Sequence, residues 1–341
     1  MARPGRFLSE LHEAEPLLST VGWITAGLGL FSLVLIPFDS REILGLNPTP
    51  YLMAEALLSD TGGVATLVGD PPNVLIASAA GFSFNDFLTH SFPLVLIVWL
   101  VALVLVRYLF REDLKIQPTD VEAVFRLNPT ESLEDWKTAR RVLIVLAVAI
   151  LMFFFQGLLQ VSTAYIALSA AAAVLVWVRP NIHEVLRRVE WSVLIFFGAL
   201  FVMVGALESS GVLESVVSAL EHLNQIPQVW FGVLLIWIVA VLSAIVDNVP
   251  ITIAMIPVIH GLSQHGVEVT ALWWALAFGA GFGGNGTIIG STANIVVATL
   301  SERTRYPITS ALWNKRGLPV MIVACSVASV LYILAFPWLS R

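Results

Sequence analysis

The chain has one cysteine, Cys325, set in its last apolar segment. A lone thiol cannot build a disulfide framework or a multi-thiolate metal centre, and on an apolar face it reads as a small core residue. His12, His90, His183, His222, His260 and His265 fall in loops or at segment ends without metal-ligand spacing, which reads as solvated side chains and no metal site. Neither a P-loop, nor a Gly-x-Gly-x-x-Gly turn, nor a nucleophile–base arrangement stands out. The sequence therefore points away from an enzyme, and any ATP drive would have to come from a separate ATPase subunit. Charge is scarce as well. Only 12% of the 341 residues are Asp, Glu, Lys or Arg, against 57% hydrophobic, and mean hydropathy is +0.86. That balance excludes an ordinary soluble domain. The net charge of −6 sits in loops and offers no basic stripe for nucleic acid.

What is present is long apolar sequence. Residues 142–178 contain no charged side chain, enough for two short crossings that turn near 160–162. The expected fold is an all-α polytopic membrane protein, multi-pass in the cell membrane, with the bilayer as its first partner. No signal peptide is expected, because Arg3 and Arg6 are followed by Glu10, Glu13 and Glu15 before any apolar run. Four regions suggest themselves. Residues 1–40 form a divergent N-terminal segment with one apolar span at 20–38. Residues 41–110 are the remnant of a first repeat with a broken helix, and 111–141 are a charged linker. Residues 142–341 are a second repeat, with a hairpin at 229–262 and a broken helix at 270–301. Between 107 and 141 lie seven Lys/Arg, so this loop is expected to face the cytoplasm. Counting outward from it, the two broken segments cross in opposite directions.

The broken segments carry the internal repeat. Gly62-Gly-Val-Ala-Thr-Leu-Val-Gly-Asp-Pro-Pro-Asn73 and Gly283-Gly-Asn-Gly-Thr-Ile-Ile-Gly-Ser-Thr-Ala-Asn294 share Gly-Gly-x-x-Thr-aliphatic-aliphatic-Gly-x-x-x-Asn, 221 positions apart. Gly62, Gly63, Gly69, Gly283, Gly284 and Gly290 would permit backbone conformations that other residues resist, and Pro71 and Pro72 forbid a regular helix. Freed carbonyls suit a cation and helix N-termini an anion, while Thr66, Asn73, Thr287 and Asn294 can serve either. The plainer alternative is glycine-mediated helix packing.

Intramembrane acids are the second signal. Asp70 lies in the first break and Asp247 in the middle of the apolar 230–262 stretch, while Glu55 and Asp60 flank the first break. No Lys or Arg falls in the inferred spans. Such carboxylates are costly in a bilayer and are usually functional. Asp247, followed by Asn248, Val249 and Pro250, also suits a half-helix cap; the two roles are compatible.

These stretches resemble the ion transporter superfamily, specifically its citrate transporter-like group of arsenite-pump membrane subunits, P protein and D-type sodium/proton antiporters. The resemblance runs from about residue 41 to the end. It rests on residues 56–73, 81–87, 190–197, 247–250 and 283–290. It implies inverted repeats, re-entrant hairpins, discontinuous helices meeting at mid-membrane and a homodimer. It would place Asp247, Asn248 and Thr252 at a hairpin tip, facing Asn285, Thr287, Asn294, Thr66, Asp70 and Asn73. The implied activity is secondary transport of a small inorganic ion, with arsenite-type efflux first and Na⁺/H⁺ antiport through Asp247 and Asp70 second. No cofactor is implied beyond a coupling Na⁺ or H⁺. Family members carry a first-half counterpart of the Asp-Asn-x-Pro tip, and 20–38 has no Asp-Asn pair. A transport-incompetent remnant, or an interaction partner of an intact relative, is the expectation of another class.

Overall fold

In lipid a helix must cap itself, because no water stands by to satisfy its end groups. A computed structural model describes residues 47–113, 135–159, 161–189, 191–211, 226–302 and 304–341. The expected span at 20–38 and most of the charged linker lie outside these residues. All regular structure among the described residues is helical. Helix α1 is Thr49–Gly63, and α2 is Pro71–Ala80. Helix α3 is Phe84–Leu109, with a π-helical turn over Phe87–Ser91. Helices α4 (Trp136–Leu159), α5 (Thr163–Val178), α6 (Ile182–Arg188) and α7 (Trp191–Ser209) follow. Then come α8 (Gln228–Val246), α9 (Asn248–Gln264), α10 (Thr270–Gly284), α11 (Thr292–Ser301) and α12 (Ser310–Leu339). Helices α3, α4, α8 and α12 are each long and apolar enough to cross a membrane.

The capping chemistry explains where several elements start. Gly81 takes φ 74°, closing α2, and the Phe82 amide returns to the Ala77 carbonyl at 2.9 Å. Ser83 then opens α3 through a reciprocal capping box: its hydroxyl accepts from the Asp86 amide, and Asp86 Oδ2 accepts from the Ser83 amide at 2.7 Å. Residues 81–87 are thus a stop and a start within three positions. Asp135 caps α4 with its carboxylate alone, accepting from the Lys137 and Thr138 amides. Bonds from the Thr138 hydroxyl and amide hold its exposed carboxyl below the usual range.

Packing sorts the helices into two groups. Helices α8 and α10 lie along each other and against α12, and Trp274, Phe278, Phe282, Trp313 and Tyr332 fill the interior around them. Helices α4, α5 and α7 are peripheral, α4 reaching α3 through Phe153 on Phe84 and α7 reaching α9 through Val204 on Val249 and Ile253. On α5 only Ile166 is buried, and α4 buries only Ala149, Phe153 and Gln156. Their outward apolar faces suit lipid, where exposed Leu and Val carry no hydrophobic penalty. His90, expected to be solvated, is instead half-buried, stacked on Trp274 at 5.6 Å and tilted against Trp338 at 5.1 Å. Its flat ring and its bond to the Asp86 carbonyl suit an aromatic niche that the sequence alone does not reveal.

The α8–α10 contact depends on missing side chains. A Cβ on Gly279 would lie 2.7 Å from the Ile236 carbonyl oxygen, and one on Gly283 would lie 2.5 Å from that of Ala240. Backbone cannot yield as a side-chain tip can. Gly283→Ala is expected to lower stability by about 1–3 kcal/mol. Gly157→Ala, where nothing lies within 4 Å of the added methyl, should leave stability unchanged or slightly raised. Thermal unfolding of both variants in one detergent measures the difference.

Candidate functional site

Interrupting a helix frees carbonyl groups that lipid cannot satisfy, so each break must carry its own donors. Both do so with one asparagine. Asn73 Nδ2 donates to the carbonyls of Gly63 (3.0 Å) and Thr66 (2.8 Å), drawing the end of α1 to the start of α2. Asn294 Nδ2 donates to Gly284 (2.8 Å) and Thr287 (3.0 Å), doing the same for α10 and α11. The backbone follows suit. Ala65 donates to Gly62 and Gly69 to Thr66, while Gly286 donates to Gly283 and Gly290 to Thr287. Asp70 and Ser291, each just before the second half-helix, are both extended, at φ −148° and −154°. All these pairs are 221 positions apart. The next free carbonyl, of Val64 or Asn285, accepts from a later helix, Ser91 Oγ at 2.7 Å or Trp313 Nε1 at 3.1 Å.

The glycines contribute differently from the sequence expectation. None of Gly62, Gly63, Gly69, Gly283, Gly284 and Gly290 has positive φ. Gly62, Gly63, Gly283 and Gly284 are the last residues of their helices, and only Gly69 and Gly290 lie inside the breaks. What Gly69 and Gly290 supply is space. A Cβ at Gly290 would sit 2.6 Å from the Gly284 carbonyl oxygen, and one at Gly69 would overlap that of Gly63. The half-helices are folded back tightly, with no left-handed turn.

A helical hairpin meets both breaks. Helix α8 ends at Val246, Asp247 turns the chain, and α9 begins at Asn248. Asp247 has φ 99° and ψ 149°, a conformation that strains any residue with a Cβ. Its Oδ1 accepts from the Asn248 amide at 2.6 Å, capping α9. Asn248 Nδ2 donates to Asp70 Oδ2 at 2.8 Å, joining the tip to the first break. Thr287 Oγ1 donates to the Ala244 carbonyl at 2.5 Å, joining it to the second. Thr252 is spent on α9 itself, donating to the Asn248 carbonyl at 2.7 Å. Asn248, Thr252, Asn73, Asn285 and Asn294 are buried, whereas Asp70, Asp247, Thr66 and Thr287 are half-buried. Thr66 enters through its carbonyl, and its hydroxyl lies against Gly69.

Three residues outside the expected set complete the centre. Ser291 Oγ donates to Asp60 Oδ1 at 2.7 Å, and Asn285 Nδ2 donates to Thr61 Oγ1 at 3.0 Å, so the end of α1 is stitched to the second break. Asp60, Asp70 and Asp247 lie within electrostatic reach of one another. None of the three forms a salt bridge among the described residues. The second break therefore approaches α1 through side chains 224 and 231 positions away, a contact that no local pattern encodes.

The chain is similar to known proteins over most of its length. Residues 15–279 match the citrate transporter family. The chain is 35% identical over 294 residues to a 46 kDa membrane protein of Mycobacterium leprae, covering 85% of this chain and 68% of that one. It is 36% identical over 290 residues to an uncharacterized transporter of Mycobacterium tuberculosis, with 84% and 68% covered. It is 30% identical to the human P protein over 368 aligned positions, covering 84% of this chain and 44% of that protein.

Two outcomes follow from the geometry. Asn73→Ala and Asn294→Ala each strip two carbonyls of their donor, so each should destabilise by about 2 kcal/mol or more, and by similar amounts; chemical unfolding in detergent compares them. At the strained tip Asp247→Gly should be more stable than Asp247→Ala by about 1 kcal/mol, since glycine adopts that backbone freely. Melting temperatures of the two variants give the order.

Proposed function

The chain belongs to the citrate transporter family of secondary transporters, and on that premise we propose that it moves its substrate through a cation-binding pocket between Asp247, Asp70 and the two breaks. The observation that carries this reading is the set of three carboxylates, Asp60, Asp70 and Asp247, brought together without a paired cation among the described residues. Three negative charges at the meeting point of broken membrane helices cannot all stay ionised and uncompensated. Na⁺ or H⁺ supplies the compensation, and exchange of one for the other at Asp247 and Asp70 is an antiport cycle.

Supporting the reading of oppositely directed repeats, α1 lies against α11 and α2 against α10, so the first half of each broken helix faces the second half of the other. The hairpin's own geometry supports re-entry: α8 runs along α10 and turns at the level of the second break, where Ala244 meets Thr287. Such midplane sites between repeats are how carriers open alternately to either side.

The charge of the pocket also ranks the cargoes. Free citrate or an ionised oxyanion would face the three carboxylates with no Lys or Arg paired to them among the described residues. Arsenite-type cargo remains compatible in its neutral trihydroxide form, whose hydroxyls can donate to Asp70 and Asp247. It takes second place because nothing at the site singles it out from other small hydroxylated species.

Purified protein in proteoliposomes separates these readings. Antiport predicts that an inward Na⁺ gradient drives H⁺ out and alkalinises the lumen, and that an outward Na⁺ gradient acidifies it. Asp247→Asn and Asp70→Asn should each lower that rate at least about tenfold, because each removes a charge the ion must meet. Metalloid efflux that ignores Na⁺ would favour the hydroxide cargo instead. A well-folded sample that moves neither would sink the transport reading and leave a partner of an intact relative.

A further inference from the structure

Helix α6 joins α5 to α7 and buries none of its side chains among the described residues. Its sequence is nevertheless two-faced. Ile182, Val185 and Leu186, continued by Val189 at the C-cap, recur at i, i+3, i+4 and i+7 and form one apolar stripe. His183, Glu184, Arg187 and Arg188 take the other side. Ile182 is 60% exposed and Leu186 47%, so the stripe has no cover from the rest of the described protein. The helix is still held in place. Asn181 caps its start by accepting from the His183 amide at 3.1 Å, and the Trp191 indole donates to the Leu186 carbonyl at 2.9 Å. At about 1.5 Å of rise per residue, α6 is far too short to cross a bilayer, so both its ends stay on one side.

Three tryptophans mark the depth at which it lies. Trp136 opens α4, Trp177 stands in the last turn of α5 and Trp191 opens α7, and all three are exposed. Such rings collect where hydrocarbon meets headgroups. Arg141 Nη1 donates to the Trp177 carbonyl at 3.3 Å, which holds the start of α4 beside the end of α5. This end is also basic: residues 135–141 and 179–190 hold six Lys/Arg against three Asp/Glu. Arg140, Arg179, Arg187 and Arg188 are exposed, and none of them forms an ion pair among the described residues. Glu184, one turn before Arg188, instead accepts from Asn181 Nδ2 at 3.2 Å.

We propose that this end of the protein is a docking surface for anionic phospholipids, with α6 lying in the membrane plane and Arg140, Arg187 and Arg188 holding headgroup phosphates. The apolar stripe then rests among the acyl chains, and the arginines beside it extend their stems along apolar surface to the phosphates above. A phosphate matches the two-pronged donor geometry of a guanidinium. The excess of bases assigns this end to the cytoplasmic leaflet, whose surface is negative. An acidic stretch of protein would answer the arginines but not the stripe or the tryptophans flanking it. None of α4, α5, α6 and α7 supplies a residue to the two breaks, so the surface is independent of the cargo.

The test is native mass spectrometry of the purified full chain in nonionic detergent, titrated with phosphatidylglycerol or with phosphatidylcholine of matched chains. Wild type should retain phosphatidylglycerol at least about tenfold more tightly, a preference that shrinks with added salt. Arg187→Gln combined with Arg188→Gln should weaken phosphatidylglycerol binding by about tenfold or more. Arg305→Gln combined with Lys315→Gln removes the same charge at exposed positions near α11 and α12, and should leave the preference in place. Leu186→Asp puts a charge on the stripe without disturbing a packed side chain, and should weaken lipid retention while the melting temperature stays unchanged. The proposal is overturned by equal retention of the two lipids in wild type, or by a preference that survives the α6 double variant. Loss of the preference to the same degree in the Arg305/Lys315 pair, or retention unmoved by Leu186→Asp, overturns it too. A double variant that alters oligomeric state and not lipid retention would assign the face to a second copy and overturn it equally.

Discussion

A broken helix inside a membrane has to answer for every carbonyl it releases, and in this chain one primary amide per break answers for two of them. Asn73 and Asn294 each hold two carbonyls across the gap between half-helices. Everything polar in the centre is arranged around those two clamps. Because the amides satisfy the backbone locally, the carboxylates and hydroxyls are released for other contacts. Asp70 is thereby free to meet Asn248, and Ser291 to meet Asp60. Without the clamps, those side chains would be needed to satisfy backbone groups, and the breaks would have nothing left to offer an ion.

The hairpin tip obeys a second constraint, that of its own backbone. Asp247 keeps a carboxylate at a position whose φ of 99° would be relaxed in glycine. Retaining strain of that kind makes sense where the side chain has work that glycine could not do. Next to it, Asn248 and Ala244 connect the tip to one break each, so a displacement of the tip is felt by both.

Much of this was legible in the chain. The membrane class follows from the uncharged 142–178 stretch, and the duplicated Gly-Gly/Thr/Gly/Asn spacing marks the two places where helix gives way. The asparagines stand at the same interval from the glycines in both copies because the clamp needs that reach. Less legible was the manner in which the glycines act. Composition suggests backbone freedom, whereas the structure uses absence of volume at Gly69 and Gly290, a distinction that depends on what packs opposite. Asp60 could be seen to flank a break, but its partner Ser291 is 231 positions away and is found only by folding the chain. His90 escaped for the same reason, since Trp274 and Trp338 reach it from two other helices.

The two clamps act as a ruler of fixed length. From the last helical glycine to the asparagine is ten positions in either copy, and the amide reaches back seven positions to the threonine carbonyl. What lies between is free to differ, and it does: Val64-Ala65 and Asp70-Pro71-Pro72 in one copy stand opposite Asn285-Gly286 and Ser291-Thr292-Ala293 in the other. The two halves can thus diverge in chemistry by substitution while remaining closed to insertion or deletion. An ancestral pair of equal sites can in this way become unequal, one carrying a carboxylate and the other a hydroxyl, with the frame that holds them unchanged.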